Sequence, residues 1–302
     1  MKQNIIYFLM LLLSSAVSAQ VGINNPTPHA SAALDVTSTT QGFLPPRMTL
    51  GQRDAINTPA AGLTIFNTTS NCLETWDGQQ WFGPCNIQID RYPGGTIFCN
   101  GIVTNIKPVV NAFTGKTWMD RNLGASQVAT SSTDVNSYGD LYQWGRRADG
   151  HQCRISLTTS TLSSVDQPAH GDFILAPSAP LDWRSPQNDN LWQGVNGVNN
   201  PCPSGYRLPT EMELNNERLS WVQLPINSTN NAAGAFASPL KLPVAGYRSS
   251  SSGSLFNVGT FGYYWSSTVS SANARSIFFN SGGASLFTFN RANGLSVRCL
   301  KD

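Results

Sequence analysis

The sequence predicts an α+β fold with long irregular loops and a C-terminal antiparallel sheet, preceded by a small β-rich module. Three observations carry that expectation. One strong helix signal, "LPTEMELNNERLSW", stands in the second half of the 302 residues. Strand-like segments, "LKLPVAGYR", "YYWSST", "RSIFFNS" and "GLSVRCLK", follow it to the end of the chain, joined by small-residue turns. Ahead of both, residues 148–200 show little periodicity and carry Pro, Ser, Asn and Asp throughout. A helix in an irregular body with strands gathered at one end reads as α+β rather than as alternating βαβ units.

In chain order, residues 1–19 read as a secretory signal. Met1 and Lys2 give a basic start, "IIYFLMLLL" is too short to span a bilayer, and Val17-Ser18-Ala19 has the small-residue pattern of a cleavage site. Cleavage after Ala19 leaves Gln20 first, no membrane span, and an exported protein bound for the cell surface, the extracellular space or the periplasm. Residues 20–90 make the small module. "AALDVTST" and "GLTIFNTT" read as short strands and "TLGQRDAI" as one or two helical turns. Such a module buries little core alone, so it is expected to pack on its neighbour or to self-associate as a homo-oligomer. Residues 91–302 make the larger domain. "GKTWMDRNLG" reads as a strand entering a turn, and "YGDLYQWGRR" has near-helical spacing that puts Tyr138, Leu141, Tyr142 and Trp144 on one buried face. Thr210 caps the strong helix and Glu213 completes a capping box; Leu214, Leu219 and Met212 are its expected core face.

Export changes how the six cysteines read, because disulfides persist outside the cytosol. Cys72 and Cys85 bracket a hairpin signal around Asp77-Gly78, so they are expected to pair, a bridge worth about 3 kcal/mol for a loop of that size. Joining Cys202 to Cys299 would staple the tail to the body, which leaves Cys99 with Cys153.

Composition excludes several functions. Charged residues are 12% of the chain and the net charge is +2, which suggests neither nucleic-acid nor anionic-membrane binding. The three histidines, His29, His151 and His170, belong to no metalloprotease motif, no G-x-S-x-G elbow exists, and no carboxylate pair stands out. Asp189 between Asn188 and Asn190 offers oxygens to calcium, but without EF-hand spacing it reads as a solvated turn. The expectation is no enzyme, no metal and no cofactor.

The stretch "SIFFNSGGASLFTFN", residues 276–290, is uncharged and sets four phenylalanines among Ser, Gly, Ala, Thr, Leu, Ile and Asn. On a strand, alternate residues face opposite sides. Ile277 and Phe279 would then point inward, with Ser276, Phe278 and Asn280 outward. Beyond a turn, Gly283, Ser285, Phe287 and Phe289 form a second alternating set, with Asn293 nearby. Rings beside small hydrogen-bonding residues suit a binding surface for a protein or glycan. The other reading, in which these rings complete a core behind the sheet, stands open for each Phe; the set favours a surface.

Six segments in order, "GKTWMDRNLGAS", "YGDLYQWGRRADGHQCR", "NPCPSGYRLPTEMEL", "LKLPVAGYR", "GYYWSST" and "GLSVRCLKD", resemble the Fibrobacter succinogenes major paralogous domain of exported Bacteroidetes-type proteins. The first region resembles the "ALDV…GFLPPRMT…QRDAI" module that often precedes it and also occurs in fibre-like surface and phage-tail proteins. The resemblance implies a C-type-lectin-like fold, related to formylglycine-generating enzymes, with no assigned catalysis. The calcium–sugar tripeptides E-P-N and Q-P-D of true C-type lectins are missing. It also implies a target of diversity-generating retroelements, whose variable residues would lie in the C-terminal stretch. Trp118, Trp144 and Trp265 would then be core, while Arg121, Arg207 and Arg298 pair with carboxylates or carbonyls beneath the site. The expectation is an exported display protein with a ligand-binding face; the alternative is a surface or tail-fibre-type component that homo-oligomerises through its first module.

Overall fold

The computed structural model describes residues 20–78, 81–83, 91–223 and 229–302. The signal segment 1–19 and Cys85, with its expected bridge to Cys72, lie outside the described residues. The chain divides into two compact units, residues 1–85 and 86–302.

In the first unit, β1 (Val21–Ile23) and β2 (Leu34–Val36) pair in parallel. A second sheet follows from β3 (Arg47–Met48), β4 (Thr64–Asn67), β5 (Cys72–Trp76) and β6 (Trp81–Phe82), hydrogen-bonded in that order. Between β3 and β4 lies α1 (Leu50–Asp54), one short helix started by a capping box in which Thr49 and Gln52 satisfy each other's backbone N–H. The β5–β6 hairpin turns through Asp77 and Gly78, and Gly78 takes a φ of 105° that suits glycine. Much of this unit's interior is polar. Arg53 Nη1 donates to Glu74 Oε2 at 2.7 Å, and Asn67 Nδ2 and the Ser70 hydroxyl donate to the same carboxylate. The Arg53 guanidinium also lies over the Trp81 ring.

The second unit opens with the hairpin β7 (Pro108–Asn111) and β8 (Lys116–Met119), then the short β9 (Tyr142–Gln143). In the irregular stretch β10 (Thr158–Thr159) and β11 (Phe173–Ile174) pair and Ser163 bridges Arg184, before β12 (Tyr206–Arg207) and the helices α2 (Glu211–Ser220) and α3 (Ala232–Ala237). Next come β13 (Tyr247–Arg248), β14 (Leu255–Phe256), β15 (Gly262–Ser270), β16 (Asn273–Phe279) and β17 (Ala284–Asn290), and last β18 (Gly294–Leu295) and β19 (Leu300–Lys301). The fold is mixed α+β.

The C-terminal strands do not make one sheet. β15, β16 and β17 form a three-stranded antiparallel sheet, β18 pairs between β13 and β9, and β19 pairs between β12 and β8. The last residues thus tie two sheets together. Tyr138, Leu141, Tyr142 and Trp144 are all buried, but on a turn and a short strand rather than a helix. Helix α2 begins at the expected capping box of Thr210 and Glu213. Its buried face is Leu214, Glu217 and Ser220, not the expected Leu214, Leu219 and Met212. Glu217 takes a core position because Asn111 Nδ2 donates to it at 2.6 Å and Trp221 Nε1 at 3.2 Å, leaving Met212 and Leu219 exposed. Cys99 pairs with Cys153 and Cys202 with Cys299, as predicted. Among the described residues no helix is long and apolar enough to cross a membrane.

Asp140 is buried at the edge of a cavity of about 320 Å³ that also touches Gly124, Arg154 and the Cys99–Cys153 bridge. Burial pushes its carboxyl up to about 7, against the pull of Arg154. A carboxyl raised this way costs the native state progressively as pH rises from about 4 to about 7, and fully above that. Asp140→Asn should therefore stabilise the protein by about 2–4 kcal/mol at pH 8, at roughly 1.4 kcal/mol per unit, with no gain at pH 4. Urea titrations at both values decide it; an equal effect at both would remove the charge explanation.

Candidate functional site

The three-stranded sheet fixes which residues share a face. In β15, β16 and β17 the register sets Tyr263 beside Phe278 and Ser285, Trp265 beside Ser276 and Phe287, and Ala274 beside Phe289. Residues in register point to one side, so Tyr263, Trp265, Ala274, Ser276, Phe278, Ser285, Phe287 and Phe289 form one face. The opposite face, with Tyr264, Ile277 and Phe279, is buried against Trp221 and Leu214. Ile277 and Phe279 thus point inward, as the alternation predicts.

On the first face the rings continue beyond the sheet. Phe287 lies 5.2 Å from Phe289 and 5.6 Å from Phe278, centroid to centroid. Phe289 meets Tyr263 and Tyr247, Tyr247 stacks on Phe256, and Phe261 stacks on Tyr263. The result is a terrace of rings contributed by β13, β14 and the three-stranded sheet. Its outermost members are Phe287, 48% exposed, and Phe256, 45% exposed, while Phe278, Phe289, Tyr247 and Phe261 are half-buried against the core. Offset and edge-on contacts of this kind add to area burial and hold each ring's orientation.

The sequence-predicted positions divide. Phe278, Ser285, Phe287 and Phe289 lie together on the terrace. Asn280 and Gly283 close the β16–β17 turn at its end, where Asn280 Oδ1 accepts from the N–H groups of Gly282 and Gly283. Ser276 shares the face but is fully buried beside Trp265, its hydroxyl donating to the Phe287 carbonyl at 3.2 Å. Asn293 is also buried, and its Oδ1 accepts from the Ser250 N–H at 2.9 Å. Neither of these two side chains is presented to solvent. For Ser276 the reason is that β16 is the central strand, so core covers its middle on both sides; Asn293 lies in the turn between β17 and β18, tied down by Ser250 and by the Asn290 carbonyl. Sequence reasoning missed Tyr247, Phe256, Phe261 and Tyr263. Only Tyr263 carried a usable signal, its two-residue spacing from Trp265.

A rigid frame lies below. Trp118, Trp144 and Trp265 are core, and Trp265 Nε1 donates to the Tyr142 carbonyl at 2.7 Å. Arg207 donates to both Glu213 oxygens and to Asp302, and Arg121 to Asp120. Arg298 is fully buried, bonded to Asn122 and the Met119 and Leu240 carbonyls. Asp189 is bonded to Arg291 at 2.6 Å rather than being only a solvated turn. His151 is buried and neutral: burial and the nearby Arg146 push its pKa to about 4. Its Nε2 accepts from the Gln143 N–H and its Nδ1–H donates to Asp149, so both ring nitrogens are engaged inside the fold. Among the described residues no group of three or more His, Cys, Asp or Glu is placed to hold a metal ion.

Residues 22–131 match the family model of a phage tail like trimerisation region. The matched stretch takes in the first unit from Gly22 and runs through β7 and β8 of the second. No curated protein and no solved structure matches the chain.

Proposed function

We propose that this chain is an exported, fibre-type surface component that assembles into homo-oligomers through its first region and displays the aromatic terrace to a macromolecular or glycan partner. The observation that carries the reading is the match of residues 22–131 to a trimerisation region. The terrace supports the display half, because exposed rings at its rim give contact area at low entropic cost while the small residues beside them adapt. Its place at the end of a stapled, arginine-braced body also fits the resemblance to diversified display domains: a rigid frame carrying a face whose side chains can change.

Two measurements test the display half. Phe287→Ser should cost under about 1 kcal/mol, since the ring is half exposed, whereas Phe279→Ser on the buried face should cost about 3–5 kcal/mol. Exported protein probed on glycan and extracellular-protein arrays should lose its strongest signal in a Phe256→Ser/Phe287→Ser double variant that keeps the parent melting temperature. Signal retained by that variant would remove the terrace from binding.

A further inference from the structure

The parallel pair β1–β2 is an amphipathic two-layer problem with only one layer solved. Register places Val21 beside Leu34, Gly22 beside Asp35 and Ile23 beside Val36. By the two-residue alternation, Val21, Ile23, Leu34 and Val36 share one face and Gly22 and Asp35 the other. The polar face is closed by the connecting loop. Asp35 Oδ2 accepts from Asn25 Nδ2 and from the His29 N–H, both at 2.9 Å. The loop backbone comes so near that a β-carbon on Gly22 would fall 2.0 Å from the Asn25 carbonyl oxygen. Among the described residues nothing covers the apolar face. Val21 is 54% exposed, Ile23 and Leu34 49%, and Val36 41%.

A two-stranded sheet alone is marginal in water, and four aligned β-branched and leucine side chains left open on it need a second layer. Ile23, Leu34 and Val36 lie at the start of the stretch that matches a trimerisation region, and Val21 immediately precedes it. We propose that this face is the self-association seam: Val21, Ile23, Leu34 and Val36 of three copies pack together around a common axis, each copy supplying the layer the others lack. A threefold arrangement repeats one contact and closes on itself, so the strips are consumed and no open apolar surface is left to propagate. The inference rests on the oligomerising half of the proposed function and adds the residues that do it.

The test is analytical ultracentrifugation of the full exported protein and of an Ile23→Asp/Leu34→Asp variant at micromolar concentration. The parent is expected at the mass of three chains. The variant is expected as a monomer, its association weakened at least 100-fold, with the melting transition of the second unit unchanged. A trimeric parent with a trimeric variant would overturn the seam while leaving the oligomerising reading intact. A monomeric parent would overturn that reading itself. A second construction guards against misfolding of the doubly charged strip. Among the described residues no cysteine is free, so Ile23→Cys supplies a thiol for a short tris-maleimide. The seam predicts a covalent three-chain product as the main species; reaction without cross-linking would overturn it.

Discussion

Arg291→Ala is expected to destabilise the protein by about 3–5 kcal/mol at pH 8, the range for stripping one partner from a buried charge pair. Arg291 is fully buried and bonded to Asp189 and the Ser271 carbonyl, and its guanidinium lies 4.7 Å from the centre of the Trp144 ring. Nη1 stands 3.7 Å from Asp182, whose carboxyl is also buried. Burial pushes Asp182 up to about 6, and Arg291 is the largest influence holding it down. Ionising Asp182 thus already costs the native state as pH rises from about 4 to about 6. Without Arg291 the folded-state carboxyl moves higher still, so the deficit is widest above that value and narrows as the carboxyl takes a proton. Denaturant midpoints at pH 8 and pH 5 should show the loss shrinking by about half or more on acidification. An equal loss at both would assign the effect to the Asp189, Ser271 and Trp144 contacts rather than to Asp182. Asp182→Asn in the Arg291→Ala background should recover part of the loss at pH 8.

That network also shows where sequence reading stops. The strand alternation of residues 276–289 was legible because a period of two needs no partner: it places Ile277 and Phe279 on one side and the terrace residues on the other. The α2 cap was legible because Thr210 and Glu213 satisfy each other within one turn. Glu217 was not, since its burial depends on Asn111, 106 residues away. Arg291 and Asp182 carry no local signal for the same reason. The aromatic terrace was half legible. Phe278, Phe287 and Phe289 lie on one continuous segment, whereas Tyr247 and Phe256 reach them through β13 and β14, whose pairing no short pattern declares. Ser276 and Asn293 mark the limit of alternation, which says which side a residue faces but not whether that side is covered.

Opening the Cys202–Cys299 bridge by Cys202→Ser/Cys299→Ser is expected to cost about 4–5 kcal/mol, because it releases a constraint across 97 residues of the unfolded chain. For a domain of this size that is a fall of roughly 10–20 °C in melting temperature. The bridge has a second, native-state consequence that the entropy model omits. The tail it anchors carries the Cys299 carbonyl, which accepts from the Met119 N–H, and the Val297 carbonyl, which accepts from the Leu123 N–H, before β19 inserts between β12 and β8. With the tether gone, the end of the chain is held by non-covalent contacts alone: these bonds, the β19 pairings, and the Arg298 and Arg207–Asp302 hydrogen bonds. Native-state hydrogen exchange in the variant should therefore quicken at Met119, Leu123 and the β19 amides while β15, β16 and β17 keep their protection relative to global unfolding. Uniform loss across all strands would mean that the bridge acts only on the unfolded chain. Selective loss in the tail would mean that it fixes the frame on which the aromatic terrace stands, so that side chains on the terrace can change without loosening the sheet beneath them.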